Sequence, residues 1–121
     1  MDLRFTNEQL ERLCNHHAEL SSWAGDGAPA IEQLLAELDS VERLGEVEEF
    51  PHVLLHTAPS GRVGAQGADD AGVLLKPDLK DSRTYRDAEA ATIVAVACGD
   101  EDFNPEGASW PQAFAMSRIT Q

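Results

Sequence analysis

The segment "ATIVAVACG", residues 91–99, carries no charge over nine residues and places β-branched Thr92, Ile93, Val94 and Val96 on both sides of an extended chain. A strand that is apolar on both faces has to be covered on both, so this segment is expected to be the central strand of a sheet. Three further segments have the length and pattern to flank it. "DLRF" alternates Leu3 and Phe5 against Asp2 and Arg4, the period of a strand with one buried face. "HVLLHT" and "AGVLLKP" are short aliphatic runs. Between them, "APSGRVGAQGADD" is rich in turn formers and leaves room for a middle strand near Arg62 to Gln66.

Helical periodicity is confined to the first part of the chain. Thr6 and Gln9 have the spacing of a capping box, and Leu10, Leu13, Cys14 and His17 then recur at i, i+3, i+4 and i+7. "GDGAP" interrupts this pattern, with Pro29 suited to the first turn of a second helix. Ile31, Leu34, Leu35 and Leu38 form that helix's stripe, which is expected to continue or restart through Val41 and Leu44 until Gly45. The expected fold is α+β, with two N-terminal helices packed on one face of a four- or five-stranded, mainly antiparallel sheet. Leu10, Leu13, Leu34, Leu35 and Leu38 should pack against Val53, Leu55, Val73, Leu75, Ile93 and Val96.

A chain of 121 residues supplies one core of ordinary size, so residues 1–121 are read as a single domain with 103–121 as an irregular C-terminal arm. Asp and Glu number 22 against nine Lys and Arg, a formal charge of -13. Nucleic-acid affinity comes largely from cations that displace counterions, so direct binding to nucleic acid is disfavoured and a basic protein partner is favoured. No run approaches the ~20 apolar residues of a membrane span, and the opening lacks an apolar leader, which together give a soluble, cytoplasmic expectation. The cysteines, Cys14 and Cys98, each sit in an apolar stretch and read as buried thiols.

The order of strand, two helices and a run of strands resembles the RelE/ParE superfamily of bacterial toxins, and within it the HigB-like branch that degrades mRNA on the ribosome. The resemblance rests on "MDLRFTNEQLERLC" at the opening, "FPHVLLHTAPSGRVGAQ" and "VLLKP" in the middle, and "ATIVAVACGDEDF" near the end, about half the chain. It implies an endoribonuclease of a toxin–antitoxin system, with cations on the sheet and a Tyr or His near the end of the last strand for proton transfer. The sequence departs from that pattern at two places. Gly72 stands about where the family has a sheet Arg, and Phe103 about where it has the terminal Tyr or His.

Under the nuclease reading the candidate catalytic residues are Arg62, Lys76, Arg83, Tyr85 and His56. "KPDLKDSRTYRD" gathers Lys76, Lys80, Arg83 and Arg86 around Tyr85, but Asp78, Asp81 and Asp87 cancel most of its field. Under the binding reading, Asp100, Glu101, Asp102 and Trp110 are the candidate partner contacts. No metal site or cofactor is expected. Cys14, His17, His52 and His56 have zinc-ligand chemistry but nothing local brings them to one point. A calcium loop opening at "DEDFNPEG" would have Pro105 at its sixth position and Pro111 at its twelfth, where Gly and Glu are required. "GRVGAQG" lacks the Lys-Ser/Thr of a phosphate loop.

With no complete catalytic constellation, the first reading is a small acidic intracellular binding protein on a toxin-like scaffold. Its expected partner is a basic protein that itself handles nucleic acid. The alternatives are a divergent endoribonuclease and a scaffold whose charge serves solubility. A homodimer is compatible with each. Trp110, Phe114, Met116 and Ile119 give the arm too much apolar surface for a free tail. It is expected to lie across the sheet face that the helices leave open, or across a second subunit.

Overall fold

The structure is a computed structural model that describes residues 1–58, 60–79, 84–99 and 101–114. Candidate residues Arg83 and Asp100 lie outside the described residues, as do Lys80, Met116 and Ile119. The strands are β1 (Asp2–Phe5), β2 (Leu54–Thr57), β3 (Val63–Gln66), β4 (Ala71–Pro77), β5 (Ala90–Cys98) and β6 (Glu101–Phe103). The helices are α1 (Glu8–Asn15), α2 (His17–Ala24) and α3 (Ala28–Ser40). The fold is therefore α+β, and among the described residues its sheet has six strands in the order β1-β5-β4-β3-β2, with β6 also on β5.

The segment expected at the centre is β5. It pairs with β4 along one side and, end to end along the other, with β1 in parallel and β6 antiparallel. Every other pairing is antiparallel. Ile93 pairs with Leu75 and Ala95 with Leu74, so Val94 is an extra residue, a β-bulge. The bulge lets Ile93 and Val96 both face the helices while Val94 and Ala95 join Leu74 on the opposite face.

The helix-side core contains Leu10, Leu13, Leu34 and Leu38 together with Val53, Leu55, Val73, Leu75, Ile93 and Val96, as the two periodicities require. Leu35 is half-buried at its margin. Each fully buried aliphatic side chain contributes about 1.5–3 kcal/mol, which is why these stripes decide the layer order.

Four local expectations need correction. Asn7, not Thr6, caps α1: its Oδ1 accepts from the Leu10 amide at 2.9 Å, while the Thr6 hydroxyl donates to Glu106 in the arm. The first helix is two, because His16 adopts an extended conformation. His17 then leaves the apolar stripe, and its Nδ1 lies 2.9 Å from the Glu32 carboxylate. The second stripe ends at Ser40. Residues 44–49 form a separate 3-10 turn in which Gly45 is an internal residue and not a stop. Finally, β6 is one strand more than the four or five expected, formed by a charged tripeptide whose Phe103 meets Trp23 edge-on at 6.4 Å.

Candidate functional site

Two surfaces of this fold have shape as well as chemistry. The first is the sheet face away from the helices. Trp110 donates from Nε1 to Asp102 at 2.9 Å, and its ring packs against Leu74, Val94 and Ala95. Phe114 is 8 % exposed and packs at a tilt against Trp110 at 5.0 Å and edge-on against His56 at 5.7 Å. Beneath it lie Gly64 of β3 and Gly72 of β4. A Cβ added to them would come within 2.5 and 2.7 Å of the phenyl ring. Glycine inside a strand costs stability, so two glycines under one ring mark a close approach that any side chain would prevent. Residues 110–114 of the arm thus lie on the open face of the sheet.

Another part of that face is polar. Arg4 and Lys76 both pair with Thr92, so the three stand side by side across β1, β5 and β4 around a cleft of about 170 Å³. Arg62 continues the row by the β3–β4 register, and its Nε is buried with no hydrogen-bond partner among the described residues. Arg4 is paired with Asp2 at 3.3 Å.

The second surface lies where α3 ends. Val41 leaves the helix in an extended conformation, and the turn at 44–49 brings Glu42, Glu46 and Glu49 around a groove of about 580 Å³ that Val41 and Phe50 also line. The loop is fixed from within, because the Glu46 carboxylate accepts from the amides of Glu42 at 3.0 Å and Arg43 at 2.8 Å. Glu48 points elsewhere, accepting from the Leu55 amide at 3.1 Å and pairing with Arg86. Those two partners, the amide first, hold its carboxyl below the usual carboxylate range.

The catalytic candidates are divided between the two faces. Arg62, Lys76 and His56 belong to the outer sheet face, with His56 under Phe114 and its Nε2 3.0 Å from Gln66 Oε1. Tyr85 packs against the helix-side core, and Arg86 beside it is taken by Glu48. Of the partner-contact candidates, Glu101 is exposed, whereas Asp102 and Trp110 bond to each other. His52 lies in a turn before β2 and so does not share a strand face with His56. Among the described residues no group of His, Cys, Asp and Glu is arranged to hold a metal ion. Burial pushes the Cys14 thiol up to about 12. The thiol of Cys98 is also raised, first by burial and then by Asp70, Glu101 and Asp69. No helix among the described residues is long and apolar enough to cross a membrane.

The acidic groove was not among the expected sites, although its signal is present in "VERLGEVEEF". Carboxylates at 42, 46 and 49 precede Phe50, on either side of Gly45, where the second helix is expected to stop.

Comparison of the chain with protein-family models, with curated proteins and with solved structures finds no match in any of the three.

Proposed function

We propose that this protein is a non-enzymatic binding protein of the cytoplasm that docks a basic protein partner on its acidic groove. The observation that carries the reading is the groove of Glu42, Glu46 and Glu49 with Val41 and Phe50 in its wall. Carboxylates attract a lysine or arginine head, and the apolar side chains accept the methylene stem behind it. A net charge of -13 adds long-range attraction, raising the encounter rate with cationic surfaces and making it sensitive to salt. Asp102 and Trp110 support this role indirectly, by clamping the arm, and Glu101 adds to the negative field.

The test is reversal of the two exposed groove charges that do not hold the loop, Glu42→Lys and Glu49→Lys. Retention of a basic partner should fall by roughly tenfold or more, equivalent to about 1.4 kcal/mol. Unchanged retention would remove the groove from the account.

A second reading has its own observation. Arg4, Lys76 and Arg62 stand in one row on the outer face, the arrangement a divergent endoribonuclease on a RelE-like or HigB-like scaffold would use to hold a phosphate backbone. Purified protein given structured RNA or translating ribosomes tests it. Cleavage that disappears in Lys76→Ala would replace the binding reading with the nuclease.

A further inference from the structure

The sheet has two edges, and they are treated differently. At β2 the outward-facing amide of Leu55 is taken by the Glu48 carboxylate at 3.1 Å, and the turn at 44–49 lies against that strand. At β1 the amides of Asp2 and Thr6 donate inward to Glu89 and Ile93, both at 3.0 Å. By the alternation of a parallel ladder, the N–H and C=O of Leu3 and Phe5 therefore point out of the sheet. Among the described residues no strand pairs with that side of β1.

Beside the open edge is a groove of about 430 Å³ between β1, α1 and α3. Leu3, Phe5, Cys14 and Leu35 give it apolar walls, and Ile93 extends them inward. Glu11 and Asp39, both exposed, stand at its rim. Asp39 is followed by Ser40, Val41 and Glu42, which line the acidic groove, so both concavities reach the end of α3.

We infer that β1 is a docking edge, on which an extended segment of a basic partner adds as a seventh strand. Main-chain bonds to Leu3 and Phe5 would hold the segment. Its alternate apolar side chains would enter the groove against Leu35, and flanking lysines or arginines would meet Glu11 and Asp39. The inference rests on the basic-partner reading and adds to it the partner's conformation and point of entry.

The experiment uses the full chain, isotope-labelled, and a short synthetic peptide with a valine-threonine-valine centre and lysines at both ends. At low salt the peptide should saturate with a dissociation constant below about 1 mM. Amide hydrogen exchange at Leu3 and Phe5 should slow by at least roughly tenfold, as expected of amides newly placed in a ladder. Binding should weaken about tenfold in the Glu11→Lys/Asp39→Lys variant, whose positions are solvent-facing. Failure to saturate overturns the docking edge, and the groove reading is then judged separately by its own charge reversals. Binding that perturbs Val41 and Phe50 but leaves exchange at Leu3 and Phe5 unchanged overturns strand addition while the acidic groove stands. Equal protection by a peptide with glutamates at its ends overturns the charge selection.

Discussion

Phe114 lies where two strands have given up their side chains, and with Trp110 it ties the arm to the sheet. Replacing it with Ala should cost about 2–3 kcal/mol in urea unfolding, the transfer energy of a buried phenyl group. Gly72→Ala should cost about 1–3 kcal/mol with Phe114 present, because the new methyl meets the ring at 2.7 Å. In a Phe114→Ala background it should cost much less, and that non-additivity is the signature of direct contact. Two titrating residues contribute at opposite ends of the pH profile. The Cys14 thiol is raised in the folded state, so its contribution is full below the unfolded thiol's value of about 8.5 and declines as pH rises toward about 12. Cys14→Ala should flatten that alkaline decline. Glu48 is lowered by the Leu55 amide and Arg86, so its contribution is present above the ordinary carboxylate range and disappears as pH falls through its lowered value. Glu48→Gln should therefore flatten the acid limb.

Secondary-structure elements differ in how openly the sequence declares them. All four apolar or alternating runs became strands because alternation and β-branching act over a few adjacent residues, and the weak middle strand emerged at Val63–Gln66. Features made by tertiary contacts were hidden. Thr6 and Asn7 are both fair caps, and what separates them is Glu106, a hundred positions away, which takes the Thr6 hydroxyl. Asn7→Ala should accordingly destabilise the protein by about 1 kcal/mol, and Thr6→Ala by less, as chemical denaturation would show. The break at His16 leaves no glycine or proline to announce it. The turn at 44–49 keeps a helix-like spacing, but Glu46 satisfies the amides of Glu42 and Arg43 and so ends helical continuation there. The acidic groove was missed for the same reason: Glu42, Glu46 and Glu49 face one concavity only because the chain turns.

At the scale of the molecule, the helices cover one face of the sheet and residues 110–114 of the arm lie on the other. Truncation after Phe103 would uncover Leu74, Val94 and Ala95 and should lower the melting temperature by at least about 5 °C, the shift that roughly 1 kcal/mol produces in a domain of this size. The arm was legible as apolar surface needing a cover, whereas its seat was not, since Gly64 and Gly72 come to lie under one ring only when β3 and β4 are aligned. The cations follow the same logic: Arg4, Arg62 and Lys76 are far apart in the chain and adjacent only through the register of β1, β5, β4 and β3. In a body of charge -13 they are a local exception, and the carboxylate groove faces the solvent with the molecule's prevailing sign. Capture from source-cell lysate by the immobilised protein and by its Glu42→Lys/Glu49→Lys variant, at about 50 mM and about 500 mM salt, tests that claim most directly. One basic protein should be retained by the unaltered chain at low salt, released at high salt and lost from the variant at both. Equal retention by the variant, or retention indifferent to salt, would contradict it.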